Sequence, residues 1–231
     1  MDMELEKMLR PVEFDMPEYP AKVITLATGG QMVVRAATRR DVPTIMKAVT
    51  PTIKIERDFY DVVGSRVYAE LLAWYKYRYR NCYLLVGQIN NILVGLVNGR
   101  MLTDKIGISL HTLAIERGLR IGAHLFASKM EHHIEFLDQD EVWITAESPI
   151  GFRRWMIEYD LIKQPGVQHE LGGADSFMLT RELYFKSKDR LVAGTRPCPK
   201  DLLEKAKSEI IIADDESIVT QICGAKGAWS K

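Results

Sequence analysis

The sequence has few cysteines, no excess of either charge and no long apolar segment. Its three cysteines, Cys82, Cys198 and Cys223, are far apart and lack CxxC spacing, which predicts reduced thiols rather than a disulfide framework or a zinc site. The 31 basic residues balance 31 acidic residues, so no overall field recruits nucleic acid or an anionic membrane. No apolar run is long enough to cross a bilayer, and the acidic start is unlike a signal peptide. We therefore expect a cytoplasmic protein whose anion sites are local.

Apolar residues are plentiful and make up 47% of the 231 positions. A chain of this length and composition can bury a proper core, and we expect one domain with an extension at each end. Prolines and the Gly29-Gly30 pair mark residues 1–30 as an N-terminal extension that lies across the domain or a neighbouring subunit. Residues 31–184 form the predicted domain, and residues 185–231 form a C-terminal extension of two short helices and a strand.

The segment 106–137 organises the chain, because it joins an apolar strand, a glycine-containing turn and the longest amphipathic pattern. The strand is mostly apolar on both faces, which is typical of an interior strand in a covered sheet. The helix carries an apolar stripe at three- and four-residue steps, formed by Leu119, Gly122, Ala123, Phe126, Ala127, Met130, Ile134 and Leu137. The residues that lie off this stripe are Arg120, Ser128, Lys129, Glu131, His132 and Glu135.

The turn between this strand and helix has the features of an anion site. Backbone N–H groups at a helix start are unpaired and, together with the positive end of the helix dipole, attract phosphate. Gly118 and Gly122 lack a Cβ and allow a ligand to approach closely, while Arg117 and Arg120 add positive charge. On these residues alone, a packing unit with two solvated arginines explains the pattern equally well.

Two histidines of the helix, His124 and His132, face the same way but lie two turns apart. Zinc ligands on a helix are normally one turn apart, and Ser128 occupies the intervening position. We therefore predict solvent-facing histidines and no metal site.

Residues 113–125 resemble the central motif of the GNAT superfamily of acyl-CoA-dependent N-acyltransferases, which reads Gln/Arg-x-x-Gly-x-Gly/Ala. Arg117 and Gly122 match the ends of that motif, whereas Arg120 stands where its first glycine is usual. The resemblance continues in order across the predicted domain: an opening strand and helix, a hairpin that turns at Asn90-Asn91, and a final strand, helix and strand.

The resemblance implies an α/β (α+β) fold, with a mixed, mainly antiparallel sheet, helices on both faces and a central V-shaped splay. The two splayed strands would end near Leu113 and begin at Glu141. It also implies acetyl-CoA as co-substrate, its pantetheine arm paired with the backbone of Leu113 and Ile115 and its pyrophosphate on the turn, without a metal. The implied cofactor-binding positions are Leu113, Ala114, Ile115, Arg117, Gly118, Leu119, Arg120, Ile121, Gly122, Ala123 and Ser148.

Three residues are candidates for the proton transfers that such a reaction needs. His111 lies near where the family often places a Glu or a bound water, and histidine is a residue type suited to general-base catalysis, although a core histidine fits equally. Glu116 is a second candidate base, for which the charge-rich turn offers a structural role instead. The family's acid is a Tyr that protonates the CoA thiolate. The best register puts Met156 there, which leaves Tyr159, three residues on, as the candidate acid.

The sequence leaves three functions open. The resemblance implies an N-acetyltransferase that acts on a primary amine of a small molecule or protein, by direct attack through a tetrahedral intermediate. A non-catalytic acyl-CoA-binding regulator would keep the turn and lack the acid. The aromatic and basic side chains of residues 74–80 would suit single-stranded RNA, an interpretation that the absence of net positive charge disfavours. We expect no membrane or nucleic-acid partner, and the sequence is compatible with a homodimer as well as with a monomer.

Overall fold

The computed structural model describes residues 3–9, 14–146, 148–152, 158–172, 175–191 and 194–224. The strands are Lys22–Thr25 (β1), Gln31–Ala36 (β2), Cys82–Ile89 (β3), Ile92–Met101 (β4), Ile106–Ala114 (β5), Glu141–Ile144 (β6), Ile162–Lys163 (β7) and Phe177–Thr180 (β8). The α-helices are Met3–Met8 (α1), Val42–Val49 (α2), Tyr60–Tyr75 (α3), Ile121–Glu131 (α4), Pro149–Gly151 (α5), Arg181–Leu191 (α6), Lys200–Ser208 (α7) and Asp215–Gly224 (α8).

The described strands form one sheet in the order β1-β2-β3-β4-β5-β6-β8-β7. Neighbouring strands are antiparallel, except that β5 and β6 run parallel. Apolar residues of α2, α3 and α8 cover one face of the sheet, and apolar residues of α4 cover the other. The predicted mixed, mainly antiparallel sheet with helices on both faces is therefore confirmed.

Both extensions take part in this fold. The edge strand β1 lies within the segment predicted as an N-terminal extension, and it pairs along its length with β2. The predicted C-terminal strand is reduced to a single bridge, in which Ile211 pairs with Ile92 at the hairpin turn. Helix α8 packs through Ile218 and Ile222 into the core on the α3 face. Parts of both extensions that the structure describes therefore pack onto the sheet and its core.

The prediction that His132 faces solvent is wrong. Its ring packs edge-on between Tyr83 and Tyr19, with ring centroids 4.5 Å and 5.4 Å away. The N-terminal segment before β1, which brings Tyr19 there, covers this side of α4, a long-range contact that helical periodicity cannot reveal. Burial lowers the pKa of His132 to about 3, so the ring is neutral at physiological pH.

A buried charge cluster on α4 joins both ends of the chain. The Glu131 carboxylate, only 3% exposed, pairs with Lys22 Nζ at 3.1 Å and with Arg196 Nη1 at 2.7 Å. The Tyr19 hydroxyl donates to the same carboxylate at 2.5 Å. Burial alone would raise the pKa of Glu131, but the hydrogen bond from Arg196 and the charge of Lys22 outweigh it and lower that pKa to about 2. The carboxylate is satisfied by partners from both extensions.

Replacing Glu131 with Gln should lower the free energy of unfolding by about 3 kcal/mol, because it leaves the buried Lys22 and the partly buried Arg196 without their counter-charge. Since the folded pKa is depressed, the ionic contribution is complete above about pH 4.3, the ordinary Glu value, and is lost as the pH falls toward the folded value. Urea titrations at several pH values measure both effects. The control is Glu18→Gln at the exposed pair with Lys207, where a change of about 0–1 kcal/mol is expected. Equal losses in the two variants would contradict this account.

Candidate functional site

A groove opens where β5 and β6 separate. The two strands pair over four positions, from Ile106 opposite Glu141 to Ser109 opposite Ile144. Beyond Ser109, β5 continues to Ala114 without β6 beside it. The space between them holds a cavity of about 100 Å³, and its walls are Asp58, Tyr60, Val63, Thr112, Leu113, Ala114, Gly122, Ser148, Ile150 and Gly151.

The backbone N–H and C=O groups of β5 that face this groove differ from those predicted from the sequence. The Ile115 N–H donates to the Val94 carbonyl at 2.9 Å, and the Leu113 oxygen lies 2.9 Å from the place of a Cβ on Gly95. Both residues therefore face β4, which argues against the predicted pairing of a pantetheine arm with Leu113 and Ile115. Because backbone groups alternate along an antiparallel pair, the residues between these point into the groove.

Thr112 and Ala114 are those groove-facing residues. The Ala114 carbonyl already accepts a hydrogen bond of 2.7 Å from the Tyr60 hydroxyl, which brings the first turn of α3 against the cavity. Burial raises the pKa of Tyr60 to about 12, so this hydroxyl keeps its proton. A Cβ on Gly122 would stand 3.7 Å from the Ala114 Cβ and 3.8 Å from the Thr112 Cγ2, so glycine widens the groove here.

The turn from β5 to α4 lies at the outer end of the groove. Gly118 has φ +93°, and a Cβ there would meet nothing within 4 Å. Arg120 has φ 59°, in the left-handed region, directly before the helix begins at Ile121. The N–H groups of the first helical turn lack intrahelical partners, which leaves them available to an anion. Arg120 thus has a backbone conformation that favours glycine, at the position where the motif usually has glycine.

The turn's other arginine is already engaged. Arg117 Nη1 donates to Asp58 Oδ2 at 2.7 Å and to the Ile222 carbonyl at 3.4 Å. Arg57, beside Asp58, donates to the Cys223 carbonyl. Helix α8 of the C-terminal extension therefore ends against the expected anion site.

His111 belongs to a buried polar cluster further along β5. The ring Nε2 lies 3.0 Å from Glu70 Oε1 on α3, and the residue is 2% exposed. Asn98 of β4 donates to the second Glu70 oxygen and accepts from the His111 N–H at 2.9 Å. The register shifts at this point, since Val97 pairs with Thr112 and Gly99 with Ser109, which makes a bulge.

Lys129 completes the cluster from α4. The residue is 0% exposed, and its Nζ donates to the His111 carbonyl at 3.1 Å. The same nitrogen lies 5.3 Å from the Phe126 ring centroid. Burial lowers the pKa of Lys129 to about 7, and the charge of Glu70 partly offsets that effect.

Sequence reasoning missed Glu70 and Lys129 as site residues. Glu70 shares one face of α3 with Val63 and Val67, a spacing that marks it as inward-facing. Lys129 sits among apolar residues of a helix that is covered on several sides, but no local pattern shows that cover. Both residues can be recognised as site residues only from the packing of α3, α4 and β5.

The other predicted residues lie as follows. Tyr159 is 2% exposed and packs edge-on against Phe126 at 5.5 Å, behind the groove rather than in its wall. Its hydroxyl has no hydrogen-bond partner among the described residues, and burial raises its pKa. Glu116 is half-buried in the turn, Ser148 caps α5 by accepting from the Gly151 N–H at 3.2 Å, and Met156 falls outside the described residues. The catalytic roles of Tyr159 and Glu116 stay predictions.

The described residues contain no group of three or more His, Cys, Asp or Glu side chains that could hold a metal ion. Among the same residues, no helix has the length and apolar character needed to cross a membrane.

The fold is similar to those of solved proteins at low sequence identity. An uncharacterized protein from Bacillus halodurans superposes with a TM-score of 0.54 and 11% identity, over 75% of this chain and 96% of that one. FdhC, described as a nucleotide-linked sugar GNAT, gives 0.48 and 8% over 79% and 100%. RimJ from Mycobacterium smegmatis, solved with CoA-disulfide, gives 0.46 and 10% over 77% and 100%. No protein-family model matches the chain, and no curated protein has significant sequence similarity to it.

Replacing Arg120 with Gly should raise the free energy of unfolding by about 1 kcal/mol, because a left-handed conformation is costly for a residue with a Cβ. Affinity for CoA should hold or rise if this position only needs the conformation. Denaturant unfolding and calorimetric titration with CoA measure the two effects. Gly118→Ala, at φ +93°, is the matched control and should lose stability. A large loss of CoA affinity in Arg120→Gly would instead show that the guanidinium binds phosphate.

Proposed function

We propose that this chain, which has the fold of the GNAT superfamily, transfers an acetyl or other acyl group from acyl-CoA to a primary amine. The observation that supports the proposal is the groove between β5 and β6, whose walls include Gly122 in the first turn of α4 and Thr112, the residue that follows His111. His111 itself is paired with Glu70. The amine is a small molecule or a protein side chain or terminus, and the reaction needs no metal.

The groove and turn suit the two parts of CoA. The diphosphate would lie on the N–H groups of the first turn of α4, near Gly118 and Gly122. The pantetheine amides would pair like a short extra strand with the groove-facing backbone of Thr112 and Ala114. Asp58 and the α8 carbonyls compete with a diphosphate for Arg117, so we assign the main contacts to the turn backbone rather than to this arginine.

His111 is the proposed general base, positioned by Glu70. When Nε2–H is donated to the Glu70 carboxylate, the lone pair lies on Nδ1, which can take a proton from the amine. Attack by the amine on the thioester carbonyl then forms a tetrahedral oxyanion. A backbone N–H of β5 that faces the groove, such as that of Thr112, is suited to stabilise that charge.

Acetyl-CoA should stabilise the protein against heat, and thiol should be released when a suitable amine is added. At a concentration 100 times the dissociation constant, the expected stabilisation is about 2.7 kcal/mol. Differential scanning fluorimetry followed by a thiol assay over a panel of amines measures both. Stabilisation without turnover on any amine favours the acyl-CoA-binding regulator. Absence of stabilisation would contradict both functions.

His111→Gln should lower kcat at least 100-fold while leaving CoA affinity within a few-fold, because an amide cannot accept the proton. Glu116→Gln is the comparison, since it removes the other candidate base from the turn. Steady-state rates at saturating acetyl-CoA, with melting temperatures for both variants, measure the effect. Unchanged turnover in a folded His111→Gln variant would exclude the catalytic role, and a loss confined to Glu116→Gln would transfer that role to the turn.

A further inference from the structure

Three elements lead from the groove to the buried cluster around His111. Val63 of α3 lines the cavity, and Glu70, about 10 Å further along the same helix axis, contacts His111. Gly122 of α4 also lines the cavity, and Lys129, about 10 Å further along that helix axis, contacts the His111 carbonyl. Strand β5 runs back between them. The cluster of Glu70, His111 and Lys129 therefore lies directly beyond the cavity, whose wall on β5 includes Thr112, the residue after His111.

Lys129 is weakly compensated for a buried cation. An ammonium has three donors, and the described contacts give its Nζ one acceptor, the His111 carbonyl at 3.1 Å. No described carboxylate lies within ion-pairing distance of it, in contrast to Lys22, which binds Glu131 at 3.1 Å. Burying an amine in this way costs stability that an apolar side chain of similar length would not. Packing alone does not explain a lysine here.

The geometry points to a chemical role, and we propose that Lys129 is the catalytic acid that gives a proton to the departing CoA thiolate. This inference rests on the acyltransferase function proposed above. A pantetheine arm whose diphosphate lies on the turn runs inward along β5, so its sulfur is the end that arrives beside the His111 carbonyl and the Lys129 ammonium. The acid and the base would then lie at one place, joined through the same residue of β5.

The proposed step balances as follows. The amine nitrogen forms a bond to the thioester carbon, and the C–S bond breaks with its electron pair going to sulfur. Lys129 gives one proton from Nζ to that sulfur, which leaves as a thiol, while His111 holds the proton taken from the amine. The neutral Lys129 regains its proton and the charged His111 loses one through solvent before the next turnover.

The charges around Lys129 suit an acid that works near neutral pH. Burial lowers the pKa of Lys129 to about 7, and the negative charge of Glu70 on α3 offsets part of that effect. The other titratable groups that face this region are His111 from β5, His169 from the loop after β7 and His133 from the next turn of its own helix. Burial lowers the pKa of His169 and that of His133, so both rings are neutral in this range.

Lys129→Met tests the assignment, with Lys163→Met as control because Lys163 is exposed and paired with Asp175 at the surface. We expect Lys129→Met to melt at or above the wild-type temperature and to bind acetyl-CoA within about 3-fold, since it replaces a buried cation with an apolar chain. Its kcat should fall about 100-fold. The wild-type kcat should decline above about pH 7 as Lys129 loses its proton, and that decline should be absent in Lys129→Met.

Several results would overturn the inference. Wild-type kcat in Lys129→Met, or a descending pH limb that persists in it, would show that another group is the acid. A loss of thermal stability and of acetyl-CoA binding in step with activity would show a structural role. Mass spectrometry that finds acetyl on Lys129 during turnover would make it a nucleophile instead. If the wild-type protein releases no thiol with any amine, the proposed function fails and this inference fails with it, whereas normal wild-type turnover beside an unaffected variant removes the inference alone.

Discussion

The structure depends on one constraint: the buried backbone of β5 must find hydrogen-bond partners after β6 has left it. A buried carbonyl or N–H without a partner costs free energy comparable to a lost hydrogen bond. The described side chains meet part of this need, because Tyr60 donates to the Ala114 carbonyl and Lys129 to the His111 carbonyl. What remains is the groove-facing backbone around Thr112. A ligand that carries amide groups in an extended arm satisfies it in the same way as a neighbouring strand would.

The helices that flank the groove are held by contacts far away in the chain. Glu131 fixes α4 to Lys22 and Arg196, which belong to segments at opposite ends of the sequence. Burying such a group without partners would cost several kcal/mol, so the cluster binds both segments to the helix that starts at the turn after β5. A shift of the segment that carries Lys22 or Arg196 would therefore change the position of α4. In this way residues outside the groove help to hold one of its walls in place.

Local pattern was enough to predict the strands, the hairpin and the strand–turn–helix unit, because hydrophobic period and turn residues are local properties of the sequence. The arrangement of the strands in the sheet was predicted from the resemblance. Local pattern did not give the direction of the β5 backbone, since a bulge at Asn98 changes which groups face β4. It also missed the burial of His132, because Tyr19, more than a hundred positions away, packs against its ring. It missed the burial of Lys129, whose Nζ donates to the His111 carbonyl on another element. Glu70 joined His111 only through packing between α3 and β5. The fold was thus more predictable than the site, which is made of long-range contacts.

Arg117 illustrates how the C-terminal extension bears on the site. The resemblance predicts that the Arg117 guanidinium meets a diphosphate, yet Asp58 and the Ile222 carbonyl accept hydrogen bonds from it here. Arg57 binds the neighbouring Cys223 carbonyl, so the last turn of α8 presents two carbonyls to two arginines beside the groove. These carbonyls carry the negative end of the helix dipole and compete with a phosphate for the same cations. The proposed diphosphate would therefore either displace α8 from Arg117 or rely on the N–H groups of the turn. The second arrangement agrees with the open space around Gly118.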